Sequence, residues 1–206
     1  MTPQVDIVRQ WLGSGSINIF GRPFAGKDTQ GRILAELFNG SLLGGGDILR
    51  GSTIPDHIKA LMHAGTLIPS EDYVNIVLPY LSKPAFQHHP LILSSVGRWK
   101  GEEEGVIEAT RESGHELKAV VYLNLDEEKV ISRWHALKDL NDRGERHDDT
   151  LEVLEIRLKE FREKTVPVIE KYRELGLLIE IDGDQPLDVV TNSVLRELTN
   201  RASASQ

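Results

Sequence analysis

Residues 17–30 read INIFGRPFAGKDTQ: a compact apolar run from Ile17 to Phe20, then glycine and proline, then Gly26-Lys27. From Thr29 onward the apolar residues Ile33, Leu34, Leu37 and Phe38 recur at helical spacing, so the order is strand, glycine loop, helix. Gly21 and Gly26 stand five positions apart and Lys27 follows directly. Glycines let backbone N–H groups turn inward, the lysine adds a mobile cation and the helix N-terminus adds its dipole, which together suit a phosphate group. Asp28 is the anomaly, a carboxylate set beside the lysine in a loop built for anions.

Around that unit the chain alternates between strand and helix patterns. Residues 4–12 read as an amphipathic helix ended by Gly13-Ser14-Gly15, and PLILSS at 90–95, AVVYLNL at 119–125 and LLIEID at 177–182 read as further short buried strands. Helical stretches are expected at about 55–64 and 70–83, the second with a possible kink at Pro79. Short apolar strands separated by helices predict an α/β fold with a parallel sheet covered on both faces. The polar stretch 133–149 reads as an exposed flap, 149–175 as a charged, solvated helix, and the tail RASASQ as frayed.

The 206 residues suffice for one domain with a sizeable core. Without cysteine the fold uses neither disulfides nor thiolate metal sites, and no apolar run reaches membrane-spanning length. A net charge of −8 argues against broad nucleic-acid or anionic-membrane binding, so an anionic ligand needs a local arginine cluster. A cytoplasmic location is expected, since MTPQVDIVRQ lacks the features of a signal peptide. His88-His89 read as a loop rather than a metal site, and Trp99 and Trp134 as packing residues.

GRPFAGKDTQ resembles the segment G-x-P-G-x-G-K-G-T-Q of adenylate kinases and related nucleoside monophosphate kinases, with Pro23, Thr29 and Gln30 in register. Further resemblances follow in order: GGGDILR at 44–50, HAGTLIPSEDYV at 63–74, Gly97-Arg98 after LILSS, RGERHDD at 143–149 with Arg157 beyond it, and IDGDQPLDVV at 181–190. The resemblance implies a P-loop NTPase-type sheet in one domain, with a core at about 16–43, 88–132 and 150–200. A monophosphate-binding segment falls at about 44–83 and a short lid, without metal, at about 134–149. It implies reversible transfer of the terminal phosphoryl group of ATP to a nucleoside monophosphate, with Mg2+ as cofactor and a monomer as the working form.

By that resemblance the ATP site comprises Gly21, Pro23, Phe24, Ala25, Gly26, Lys27, Asp28 and Thr29, with Arg133 over the donor base. Gly45, Arg50, Leu67, Ile68, Arg98 and Glu102 fall at the monophosphate site, and Lys27, Arg98, Arg146 and Arg157 would act on the transferred phosphoryl group. The sequence departs from the family pattern at Phe24, Asp28, Ser94 and Leu137. Ser94 stands where the family has an aspartate that holds magnesium through water, so Asp28 is a candidate magnesium ligand; the bland reading is a helix-dipole partner turned to solvent. The family's adenine-contacting threonine falls at Gly45 and its glutamine at Glu102. AMP is the first choice of acceptor, with GMP or CMP as alternatives because a glutamate only accepts hydrogen bonds. A nucleotide-binding protein with little catalysis is the rival reading, and a GTP switch is disfavoured because no N-K-x-D-like segment follows a later strand.

Overall fold

A computed structural model describes residues 3–139 and 150–205. The chain opens with helix α1 (Pro3–Leu12), strand β1 (Ser16–Gly21), helix α2 (Lys27–Phe38) and strand β2 (Ser41–Gly44). Three short helices follow, α3 (Gly45–Gly51), α4 (Asp56–His63) and α5 (Ser70–Val77), before strand β3 (Leu91–Ser94). Then come α6 (Glu102–Glu112), β4 (Leu117–Asn124), α7 (Glu127–Asp139), α8 (Leu151–Glu160), α9 (Val166–Glu174), β5 (Leu178–Asp182) and α10 (Leu187–Ala204). All the strand pairs are parallel, in the order β2-β3-β1-β4-β5.

Strand alternation sorts the core into two faces. On one, Ile17, Ile19, Ile92, Ala119, Val121 and Leu123 pack against apolar residues of α1, α2, α7, α8 and α10. On the other, Phe20, Val120 and Tyr122 meet Phe161, Val168, Ile169 and Tyr172, while Leu91 and Leu93 meet the helices of segment 45–77. A parallel sheet covered in this way needs strands that are apolar on both sides, and β1 is buried along its whole length. β1 is flanked by β3 and β4, so its carboxyl end lies where the chain's path reverses, the usual place for a ligand in open α/β sheets.

Four local expectations are corrected. Ser41–Gly44 is a fifth strand, paired along its length with β3, and the glycine-rich segment after it is helical. The helix expected over 70–83 ends at Val77, and Pro79 lies in a 3-10 turn from Leu78 to Ser82, since proline cannot continue the α-helical ladder. The stretch from 149 is not a uniformly solvated helix: Leu154, Leu158, Phe161, Val168, Ile169 and Tyr172 are buried, and a π-helical turn at Phe161–Thr165 joins α8 to α9. The tail is helical through Ala204 rather than frayed from Arg201. Ala202 is fully buried, and Arg201 donates from Nη1 to the Leu177 carbonyl at 2.8 Å and from Nη2 to the Leu178 carbonyl at 3.1 Å.

The lid expected at 134–149 falls largely outside the described residues, as do Arg146 and the side chain of Leu137. Among the described residues no helix is long and apolar enough to cross a membrane. Arg201→Ala removes both bonds that fasten α10 to the start of β5, and a loss of about 1–2 kcal/mol in stability is expected from urea unfolding. An unchanged unfolding midpoint would return the tail to a frayed role.

Candidate functional site

The phosphate loop is held from below. A Cβ on Gly21 would lie 3.0 Å from the Leu123 carbonyl oxygen and 3.1 Å from Ala25 Cβ, so glycine permits the close turn out of β1. Gly26 caps α2 in the left-handed region at φ 89°. The first N–H groups of a helix have no intrahelical acceptor, so the start of α2 offers donors to the loop's hollow. Lys27 Nζ donates to the Arg22 carbonyl at 2.9 Å. Phe24, where the resemblance has a glycine, also adopts a left-handed φ of 62°, an unfavourable conformation for an aromatic residue. Its carbonyl accepts from Arg133 Nη1 at 3.2 Å while Arg133 Nη2 donates to Gly183 at 2.7 Å, so Arg133 buttresses the loop from outside the cleft.

Asp28 reaches across to β3. Its Oδ1 accepts from Ser94 Oγ at 3.0 Å, so it spans the gap between the phosphate loop and the strand end instead of simply facing solvent. Lys27, Asp28, Thr29 and Ser94 all line the same cleft. One carboxylate with two hydroxyls nearby is an oxygen donor set suited to a hard cation that also keeps water and phosphate ligands. The residues present therefore fit Mg2+.

Opposite the phosphate loop stands the segment that leaves β3. Asn18, fully buried in β1, donates from Nδ2 to the Val96 carbonyl at 2.7 Å and accepts from the Val96 N–H at 3.2 Å. The Ser95 N–H donates to the Ile19 carbonyl at 2.9 Å, and Gly97 turns the chain at φ 74°. Glu102, buried at the start of α6, accepts from the N–H groups of Arg98 at 2.7 Å and Trp99 at 3.0 Å through Oε2. Its Oε1 accepts from Ser70 Oγ at 2.5 Å. Three of roughly four acceptor positions on this carboxylate are thus used, two on the Arg98 turn and one on α5.

That turn presents an arginine with unmet needs. Arg98 Nε is buried with no hydrogen-bond partner. Burial first, and the like charge of Arg157 with it, pull the Arg98 guanidinium below arginine's usual range, against the opposing pull of Tyr73, Glu160 and Glu102. Arg50 stands further out, paired with Asp47 at 2.5 Å. The Leu67 N–H donates to Glu160 Oε2 at 2.9 Å, the Ile68 carbonyl accepts from Trp99 Nε1 at 2.8 Å, and Lys164 Nζ lies 4.0 Å from the centre of the Trp99 ring.

These parts border one cleft of about 680 Å³. Gly21, Pro23, Phe24, Gly26, Lys27, Asp28 and Thr29 line it, as do Arg50, Leu67, Ile68, Arg98, Glu102 and Arg157. Ala25 and Gly45 are buried behind its wall, and Arg146 lies outside the described residues. Trp134 is a core residue as expected, whereas Trp99 lines the cleft. The sequence reading passed over Tyr73, which also lines the cleft. In sequence it is one more residue on the inner face of a helix and carries no signal of its own, because its proximity to Gly45 exists only in the fold.

Comparison with known proteins agrees with this geometry. The sequence profile described as "Adenylate kinase" matches residues 19–177. The chain is 34% identical over 187 residues to the adenylate kinase of Methylobacterium nodulans, covering 86% of this chain and 93% of that protein. It is also 34% identical over 192 residues to the adenylate kinase of Agrobacterium fabrum, covering 89% and 97%. A profile match and relatives of that extent account for the phosphate loop, the parallel sheet and the arginine-lined cleft together, and the chain belongs to the adenylate kinase family.

Proposed function

We propose that the protein transfers the terminal phosphoryl group of ATP to AMP, giving two ADP. The observation that carries the reading is the buried, unpartnered Nε of Arg98, held near Arg157 in a cleft whose other wall is the phosphate loop. A buried guanidinium with an unsatisfied N–H, set beside a second arginine, favours a bound anion, and a phosphate meets that need. The relatives named adenylate kinase support ATP and AMP as the substrates. Glutamate at 102 keeps GMP and CMP as alternatives, though no other feature favours them.

In this reading an oxygen of the AMP phosphate attacks the γ-phosphorus of ATP, the bond from that phosphorus to the β–γ bridging oxygen breaks, and ADP leaves. The protein forms no covalent bond; positioning and charge dispersal carry the catalysis. Backbone N–H groups of the loop from Gly21 to Thr29 cradle the ATP phosphates, and Lys27 exchanges the Arg22 carbonyl for the transferred group. Arg50 and Arg98 grip the AMP phosphate, and Arg157, with Arg146 from the lid, meets the charge in flight. Leu67 and Ile68 border the acceptor beside Glu102. Bound Mg2+ would neutralise phosphate charge, and Asp28, Thr29 and Ser94 are the residues that would hold it or its waters.

A coupled ADP-formation assay over AMP, GMP, CMP and UMP tests the proposal directly. Transfer to AMP above all is expected, while ATP hydrolysis alone with every acceptor would favour the rival reading of a nucleotide-binding protein with little catalysis. Arg98→Ala is expected to lower kcat/KM by about two orders of magnitude or more, through loss of a desolvated charge-assisted clamp on the reacting phosphate. Asp28→Asn keeps the bond from Ser94 and removes the charge, so it should raise the magnesium concentration needed for half-maximal rate and narrow the gap between Mg–ATP and ATP affinity in calorimetry. Superimposable magnesium titrations would dispose of the metal role.

A further inference from the structure

Tyr73 projects from α5 with its side chain only 7% exposed. Its hydroxyl oxygen accepts from the Gly97 N–H at 3.3 Å. Among the described residues nothing accepts the hydroxyl's own hydrogen, yet Tyr73 lines the cleft. A buried hydroxyl with an unspent donor is costly, and such groups normally find a partner. Burial first, and then the charge of Glu102, push the phenol above tyrosine's usual range, so the group stays protonated and keeps that hydrogen. The space around it is reserved. A Cβ on Gly45 would overlap the hydroxyl and lie 3.1 Å from both Cε2 and Cζ, so the phenol keeps its position only while residue 45 is glycine.

The partner can be identified from the surroundings. Tyr73 stands on the same wall as Ile68, Trp99 and Glu102, next to the turn carrying Arg98. An apolar and aromatic wall beside a phosphate-binding arginine suits a flat heteroaromatic base, with the phosphate on Arg98 and the base along the wall. We propose that Tyr73 reads the base of the acceptor nucleotide, its hydroxyl donating to a ring nitrogen or carbonyl oxygen at the base edge, and that Gly45 is required for this. The free lone pair on Glu102 Oε1 then accepts an N–H from the neighbouring position of the same edge. Tyr73 touches substrate in this arrangement and sets specificity without joining the transfer. The inference rests on the proposed acceptor site but is tested separately from the reaction.

Tyr73→Phe keeps the ring and removes the donor. The binding of AMP, GMP, CMP and UMP to wild type and variant is measured by calorimetry, with ribose 5-phosphate as a probe that has sugar and phosphate but no base. The variant is expected to bind AMP about five- to tenfold more weakly, the size of one hydrogen bond, and to change the ranking of the four bases. Its affinities for ribose 5-phosphate and ATP and its melting temperature should match wild type. In kinetics the loss should fall on the acceptor KM rather than on kcat. Gly45→Ala, which must push the phenol aside, should weaken AMP binding without weakening ribose 5-phosphate. Unchanged binding of all four nucleotides to Tyr73→Phe overturns the inference, as does an equal loss for nucleotides and ribose 5-phosphate, which would mean that the hydroxyl only steadies the Arg98 turn. Because binding is read directly, absence of phosphoryl transfer in the wild type would count against the reaction and not against the base contact.

Discussion

The reciprocal pair between Asn18 and the backbone of Val96 fixes the distance on which the whole site depends. Asn18 lies in the central strand, a few residues before the phosphate loop, and its amide holds the chain just after β3, a few residues before Arg98. A buried amide left without partners would cost on the order of 1–3 kcal/mol, so the two strand ends cannot drift apart cheaply. The walls of the cleft are therefore set within the sheet, by this side chain together with the backbone bond from Ser95 to Ile19, and the helices outside need only keep that sheet covered. The bond between Asp28 and Ser94 spans the same gap nearer the cleft mouth, where it can open without disturbing the core.

Arginine placement then becomes an energetic question. Arg98 is positioned by contacts to its backbone, through Glu102 and Gly97, and not by bonds that satisfy its guanidinium. The protein spends a buried carboxylate on the turn and leaves the charge unmet, which lowers the stability of the empty site and favours a bound anion. Phe24 follows the same logic in the phosphate loop, where an aromatic residue is held at φ 62° with its carbonyl tied to Arg133. Strain and unmet charge thus collect around the cleft, while the sheet beneath is conventionally packed.

The sequence carried the sheet class, the phosphate loop and most of the cleft-lining residues because each is written in local pattern. What it hid depends on distance or on packing. β2 is four residues long, too short to express a period, and is a strand only because β3 lies alongside. α3 contains several glycines and forms because Ile48 and Leu49 are buried beneath it. The order of the tail depends on carbonyls offered by residues 177 and 178. Asp28 and Ser94 were each legible as departures from a pattern, but their contact joins two loops and follows from the fold alone. Arg133 shows the converse: the resemblance places it over the donor base, whereas its bonds to the Phe24 and Gly183 carbonyls follow from the fold alone.

Trp99 has an optical consequence. Its indole N–H is bonded to the Ile68 carbonyl, a lysine ammonium lies over its ring, and one part of it faces the cleft. The other two tryptophans, Trp11 and Trp134, pack in the core cluster on the opposite face of the sheet. Tryptophan emission from this chain thus combines a core background with a single tryptophan in the cleft wall, whose quenching and spectral position depend on how Lys164 and the cleft water are arranged around it. A molecule seated against that wall would change those surroundings and so the emission of Trp99, and because the sequence has no cysteine, a single introduced one could carry a thiol-linked dye as energy-transfer partner.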